Sequence, residues 1–543
     1  MPNTTNPIFY NLHARNLRAD LFGGLTVSVI ALPLSLAFGI ASGLGAMAGL
    51  YCAIFLGFFA ALFGGAPAQI SGPNGPMTVV MASVFSQFPD RPAMCFAAVI
   101  LAGFMQILGG IMRVGKYISL VPYPVISGFM SGVGIIIIVL QMTTLSGHAS
   151  YANMIKAMEM MPQYWNDPNW DAVALGLISL AIVVFTPQSI NRKLPSPLIA
   201  LIVGTVLGNL FFIGAPQIGS IPMGFPDITL PNIGMDDMPL LIMPAFMLAM
   251  LSSIDSLMTA TVADSMTRMY HKPNKELVGQ GIGNIITGLF GGIAGSGATM
   301  RTGVNIRAGG RTPISGMFHA AILLALVLGL APLAEHIPHA VLAGILLRVG
   351  YDIIDWNFIK KFSTAPRFNI FLMLLVIILT VGVDLITAVM VGVVLAALHL
   401  VKSLADSQLQ LMQPVNHASA GAPVNAVEKS LMQKHDGKII VYRLQGPLSF
   451  GGATTMARIL GSFDMYEALF LDLSGVYYID TTSVMAIEDI VTQANESRKK
   501  IYLVGLSGAA KTAFESHQTL GLLPQNHICS DLGQALLDFD KNQ

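Results

Sequence analysis

The sequence predicts a polytopic α-helical membrane protein, with fourteen transmembrane segments arranged as a 7+7 inverted repeat, followed by a small α/β domain. Three observations carry that prediction. Of 543 residues only 11% are charged and 54% are hydrophobic, with a mean hydropathy of +0.67, against roughly 25% charged residues in an average soluble domain. Apolar runs long enough to cross a bilayer recur from residue 21 to residue 401. Beyond that point the composition turns polar, and the stretch after residue 427 holds ten of the 29 basic residues. The 29 basic and 29 acidic residues balance, so nothing in the overall charge attracts nucleic acid, and no nucleic-acid partner is expected. Cys52, Cys95 and Cys529 are too scattered for a disulfide framework or a thiolate metal site.

The first apolar run, 21–43, exceeds a signal-peptide core and lacks a small-residue cleavage site before the next span, so it reads as a retained helix. Spans at 47–63, 69–85, 93–112, 121–145, 172–187 and 197–212 complete a first repeat within about 17–213. Spans at 239–262, 277–294, 296–306, 313–333, 341–354, 370–383 and 385–401 form a second within 239–403. Together residues 1–403 make the transmembrane transport domain. Lys and Arg accumulate in alternate loops, leaving only Arg91 and Lys156 on the other side. The segment 214–238 carries Asp227, Asp236 and Asp237 but no Lys or Arg. The positive-inside rule then places both termini in the cytoplasm. An odd number of spans per repeat inverts the second against the first, an architecture of transporters.

The third span opens on Ser71-Gly72-Pro73-Asn74-Gly75-Pro76-Met77-Thr78, and the tenth on Gly295-Ser296-Gly297-Ala298-Thr299-Met300-Arg301-Thr302. Interruptions at matching places in two repeats point to discontinuous helices, whose N-termini bring free N–H groups and a positive dipole end near the midplane. Two such ends suit an anion; the competing reading is that the glycines only permit close helix packing. Asp255 is the sharpest ionisable residue within a span. Thr259 follows one helical turn later on the same face, so both oxygens can turn toward the break at 297–299. Hard oxygen ligands suit sodium; a proton on Asp255, or a purely structural aspartate, are the alternatives. Arg301 either adds positive potential to the anion site or snorkels to the cytoplasmic face. Asp264 and Asp384 read as solvated or capping residues, and Trp165 and Trp170 as an interfacial anchor. No nucleophile-and-base pairing is present, so the chain is not read as an enzyme.

Residues 404–434 read as a linker and 435–543 as a soluble domain. Strands at 438–444, 468–473 and 500–504 alternate with helices at 454–460, 483–494, 509–516 and 532–538, the pattern of an α/β unit. Asp480 and Thr481 are good N-cap types for the central helix.

Asp472-Leu473-Ser474-Gly475 followed by Ile479-Asp480-Thr481-Thr482 resembles the core signature of STAS domains. Arg301-Thr302-Gly303-Val304-Asn305, continuing to Ala308-Gly309-Gly310-Arg311-Thr312-Pro313, is similar to the SulP (SLC26-type) anion transporters. The run Ala31-Leu32-Pro33-Leu34-Ser35-Leu36-Ala37-Phe38 and residues 252–257 look most like the sodium-dependent bicarbonate transporters of the BicA type. Leu34 and Asp255 replace the Gln and Glu of many sulfate-branch members. The resemblance implies a core domain of spans one to four and eight to eleven, with the other spans as a gate. It implies that Asp255, Thr259, Gly297 and Thr299 hold sodium, while Asn74, Ala298, Thr299 and Arg301 meet the anion. Thr482 occupies the slot phosphorylated in stand-alone STAS proteins. The expected function is sodium-coupled bicarbonate uptake by alternating access, with proton-coupled sulfate or dicarboxylate transport as the alternative. A multi-pass homodimer of the cell membrane is expected, with a cytoplasmic regulator at the STAS domain and no cofactor besides sodium as coupling ion.

Overall fold

A computed structural model describes residues 10–118, 121–148, 154–191, 194–219, 228, 234–383, 385–411, 413–415, 426–435, 438–448 and 466–542. The chain forms two units, 1–393 and 394–543.

Each of the fourteen predicted segments of the membrane part contains a helix. They are α1 (Leu17–Ala41), α2 (Ala46–Phe63), α3 (Gly75–Gln87), α4 (Pro92–Ile111), α5 (Tyr123–Leu145), α6 (Trp170–Phe185) and α7 (Ser196–Leu210) in the first repeat. The second holds α8 (Met238–Thr267), α9 (Pro273–Leu289), α10 (Thr299–Arg307), α11 (Pro313–Glu335), α12 (His339–Ile353), α13 (Arg367–Gly382) and α14 (Leu385–Leu411). Proline sets many starts: α3, α4, α5, α7, α8 and α9 each carry one in the first turn, where its missing N–H has no intrahelical role. Pro33 lies inside α1 and Pro244 inside α8, which membrane helices tolerate when neighbours satisfy the freed carbonyl. Among the described residues six helices are long and apolar enough by themselves to cross a membrane, and a helix at Met154–Asn166 bent by 114° against α6 makes a seventh. Several others, α3 and α10 above all, are too short because a strand replaces their first turns, β1 (Ser71–Gly72, also βa) before α3 and β2 (Ser296–Gly297, also βb) before α10.

The helices pack as two sets. In one, α9 lies against α2 and α4, α11 against α1 and α2, and α8 against α4 and α10. In the other, α12 packs on α5 and α6, α13 on α5, and α7 on α6. These are the core and gate groupings. The α4–α9 crossing depends on two glycines: a β-carbon on Gly281 would meet the Gly103 carbonyl at 2.5 Å, and one on Gly103 would meet the Gly281 carbonyl at 2.6 Å. Such backbone contact is a common way for helices to associate in lipid. Between the sets lies a cavity of about 990 Å³, with Thr26, Ile30, Arg307, Arg348 and Asp352 in its wall.

The second unit is built on a five-stranded sheet, ordered β3 (Gln413–Val415), β4 (Ile439–Leu448), β5 (Ala468–Ile479), β6 (Lys500–Val504), β7 (Ile528–Cys529). The β3–β4 pair is antiparallel and the others are parallel. Alternate residues of β5 face opposite layers. Leu469, Leu471 and Leu473 join Val484 and Ile487 of α16 (Thr481–Glu496) and Phe514 of α17 (Gly508–Ser516). Phe470 joins Tyr502 and, from α18 (Leu532–Lys541), Leu536 and Phe539 on the other side. Two expectations gain detail here. Among the described residues, the stretch expected as a linker carries structure of its own: α14 continues to Leu411, β3 adds a strand to β4, and Leu431 and Met432 of α15 (Ala426–Lys434) are buried in the sheet's core. Strand β5 runs to Ile479 instead of 473, because Ser474 and Gly475 stay extended and Gly475 keeps its pairing with Gln445. The helix expected at 454–460, Asp227 and Asp384 lie outside the described residues.

Candidate ion-binding site

The two interrupted segments meet. Ser71–Gly72 (here βa) and Ser296–Gly297 (here βb) form an antiparallel pair, with Ser71 opposite Gly297 and Gly72 opposite Ser296. The pairing continues past the strands: the Ala298 amide donates to the Ile70 carbonyl at 2.8 Å, and the Ile70 amide donates to the Thr302 hydroxyl at 3.0 Å. Helices α3 and α10 start from this crossing, so the positive ends of both helix dipoles lie there.

Helix α8 supplies a polar face against the crossing. The Thr259 hydroxyl donates to the Gly297 carbonyl at 3.1 Å and sits 2.7 Å from the Thr299 hydroxyl. One turn earlier, Asp255 Oδ2 accepts from the Ser296 hydroxyl at 2.6 Å and from the Asn74 amide. Ser256 accepts from the Gly297 amide at 3.0 Å. The strand is fixed upstream as well: the Gly295 carbonyl accepts from Ser252 at 2.7 Å, and its amide donates to Asn284 at 3.0 Å. Gln106 of α4 links these two side chains, at 2.9 Å to each.

Arg301 is buried, 2% exposed. Its Nη2 donates to the Pro73 carbonyl, while Nη1 has no hydrogen-bond partner among the described residues. Gly72 leaves it room, since a β-carbon there would stand 2.7 Å from Nη1 and push the guanidinium aside. A buried donor of this kind is costly unless something accepts from it.

The expected site residues are therefore brought to one place, with three corrections in detail. Arg301 does not snorkel, because its side chain lies across the crossing between α3 and α10. The Ala298 amide is used by Ile70 and is not open to an anion. Asn74 is also committed: its carbonyl oxygen accepts from Met77 as the α3 cap, at 3.2 Å, and its amide donates to Asp255 and Ser296.

Two family models match the chain, the sulfate permease family over residues 17–376 and the STAS domain over residues 430–535. The chain belongs to the sulfate permease family. It is similar to the bicarbonate transporter BicA of Picosynechococcus sp., 42% identical over 97% of this chain and 95% of that protein. Among solved structures, the transmembrane domain of a cyanobacterial bicarbonate transporter BicA is 48% identical, covering 70% of this chain and all of that one, with a TM-score of 0.67. The structure of SLC26A9 shares the fold over 98% of this chain and 91% of its own, with a TM-score of 0.82 at 18% identity. A sulfate permease member of this kind is a membrane transporter and not an enzyme.

Three buried ionisable groups of this sulfate permease fold escaped the sequence reading. Asp20 accepts from the Arg311 and Thr312 amides at 2.7 and 3.0 Å and from the Thr312 hydroxyl at 2.7 Å, tying α1 to the start of α11. His319 of α11 pairs with Ser28 of α1 at 3.2 Å. Glu276 accepts from the Gly65 and Ala66 amides at 2.8 and 2.9 Å, from Gln69 at 2.9 Å and from Gln280 at 2.7 Å. Asp20 and Glu276 each fell one residue before a span drawn from hydropathy, among basic loop residues. A signal for Glu276 existed: Glu276, Gln280 and Asn284 recur every fourth residue, a polar stripe on an otherwise apolar helix.

Proposed function

We propose that this transporter carries bicarbonate across the cell membrane together with sodium, by alternating access. The observation that carries the reading is the grouping of Asp255, Thr259, Gly297 and Thr299 around one helix break, beside a buried guanidinium with an open donor. The similarity to BicA proteins supports the choice of anion. A carboxylate, two hydroxyls and a backbone carbonyl are the hard oxygen donors that sodium takes, and none of them suits a soft metal.

The mechanism follows from the charges. Without sodium, the Asp255 carboxylate lies beside the crossing and repels an arriving anion. Sodium at Asp255, Thr259, Gly297 and Thr299 cancels that charge and draws the Thr259 and Thr299 oxygens inward. The anion then meets the α10 N-terminus at Thr299 and Nη1 of Arg301, donors aimed at it in advance. Each ion raises the affinity for the other, as coupling requires. The core set, α1 to α4 with α8 to α11, then moves against the gate set, and the 990 Å³ cavity is the path to one side. In this reading both termini are cytoplasmic and the protein is a homodimer. Thr482, exposed in the first turn of α16 behind the Asp480 cap, is a phosphorylation site through which a cytoplasmic regulator acts; a phosphate there is favoured by the helix dipole.

Uptake of labelled bicarbonate and, separately, sulfate into proteoliposomes, with and without an inward sodium gradient at fixed pH, tests the reading. Bicarbonate entering only with sodium is the expected result. Sulfate entering without sodium, and following pH, would replace it with the proton-coupled alternative.

A further inference from the structure

Glu276 stands outside the ion site yet reaches both of its strands. Each carboxylate oxygen takes two hydrogen bonds, and all four come from uncharged N–H groups. Oε2 closes the turn at Gly65 and Ala66, which follows α2. Oε1 holds two glutamine amides. One is Gln280, whose Nε2 also donates to the Ser71 hydroxyl of βa at 2.6 Å. The other is Gln69, whose side chain lies directly on Gly297 of βb: a β-carbon on that glycine would fall 2.7 Å from Gln69 Cδ. The same β-carbon would stand 3.1 Å from the Ser256 α-carbon, so the space over Gly297 is taken by both Gln69 and α8. Gly297 thus packs against the Gln69 amide and α8 together, with its N–H on Ser256 and its carbonyl facing Thr259.

A carboxylate that faces only donors has no acceptor to share a proton with, so its environment is complementary to the ionised form. The same environment leaves the Oε1 atoms of Gln69 and Gln280 buried without partners among the described residues. Both amides are turned so that their N–H groups serve the carboxylate at the expense of their own oxygens. The bond to Glu276 therefore dictates the orientation of Gln69.

We propose that Glu276 and Gln69 are positioning residues for the cation site: the carboxylate orients the Gln69 amide, which packs on Gly297 beside α8 and keeps its carbonyl aimed at the position shared by Thr259 and Thr299. The inference rests on the sodium-coupled reading above. Losing the clamp frees the Gly297 peptide, so sodium meets a ligand that must be ordered first, while the anion donors at Arg301 are untouched.

The test uses the full-length protein with Gln69→Met, which keeps side-chain length and leaves the other three bonds of Glu276, and with Glu276→Gln. Two quantities are read: the sodium concentration giving half of the sodium-dependent thermal stabilisation without anion, and the anion KM of uptake at saturating sodium. Gln69→Met is expected to raise the first at least about fivefold and to leave the second within about twofold. Glu276→Gln is expected to do the same more strongly, and the exchange Gln69→Glu with Glu276→Gln to recover part of the loss by reversing the donor and acceptor. A Gln69→Met protein that is half-saturated at the parental sodium concentration overturns the proposal, even if its transport rate or basal stability falls. A parent with no sodium-dependent stabilisation overturns the sodium reading itself, and the clamp with it.

Discussion

The two half-helices that meet at the crossing are capped in opposite ways. Helix α3 begins behind Asn74, whose side chain accepts from Met77, and Pro76 in its first turn has no N–H to satisfy. Helix α10 begins behind Ala298, which has no side chain to offer, and its first turn carries Thr299 and Arg301. One end answers its own backbone donors and the other leaves them open. Related positions in two repeats thus differ: α3 carries a side-chain cap, and the α10 end is left without one. The same asymmetry explains why Asn74 is drawn to Asp255 rather than to an anion.

Substitutions can break this comparison. The largest effect is expected at Asp255, which serves both ends: Asp255→Asn removes the buried carboxylate assigned to sodium in the proposed function, and sodium-dependent uptake should fall to background while size-exclusion elution stays that of the parent. Arg301→Gln strikes the open end, and also removes the bond to the Pro73 carbonyl ahead of α3. A hydrogen bond to a charged group contributes about 1.5–3 kcal/mol, so the half-saturating anion concentration should rise roughly tenfold or more, read from initial rates at saturating sodium.

Thr299→Val removes one neutral hydroxyl of the proposed sodium site and should raise half-saturating sodium by up to about tenfold, in line with about 0.5–1.5 kcal/mol for a neutral bond. Ala298→Asn sharpens the contrast by giving α10 the cap that α3 already has. Its side chain would occupy the first-turn N–H groups, stabilise the helix by about 1 kcal/mol, and weaken anion binding about threefold in the same uptake assay.

The smallest effect lies in the sheet unit, where charge pairs stand at the surface. Hydrogen bonds from Lys434 and His435 hold the Asp540 carboxyl below its ordinary value of 3.8. A lowered folded-state value contributes stability that is full above the ordinary, unfolded-state value and is lost as pH falls from there through the folded one. Asp540→Asn should therefore lower the unfolding midpoint of the full chain slightly at neutral pH, and the gap should close below about pH 4.

Much of this was legible in the residues alone. The breaks at Ser71 and Ser296, the oxygen face of Asp255 and Thr259, and the Asp480 cap all express local rules of spacing and capping. Partner choice was not legible. That Asn74 would bond Asp255, or that the Ala298 amide would be used by Ile70, depends on segments brought together across the two repeats. Hydropathy also hid Asp20 and Glu276, because a carboxylate at the edge of a span looks solvated until the backbone amides folded around it are known. The sheet unit misled in a simpler way: β3 is short and polar, and only its pairing with β4 marks it as a strand.

The ladder at the crossing also constrains how the protein is made. Ile70 bonds to Thr302, 232 positions later, so the ribosome has finished the entire first repeat long before that partner exists. Until then the backbone at Ser71 and Gly72 waits at membrane depth with polar groups unmet, a condition lipid does not tolerate well. The nascent first half is an incomplete object, which needs shelter by the insertion machinery. A chain released early would expose that unpaired backbone and become a substrate for membrane quality control.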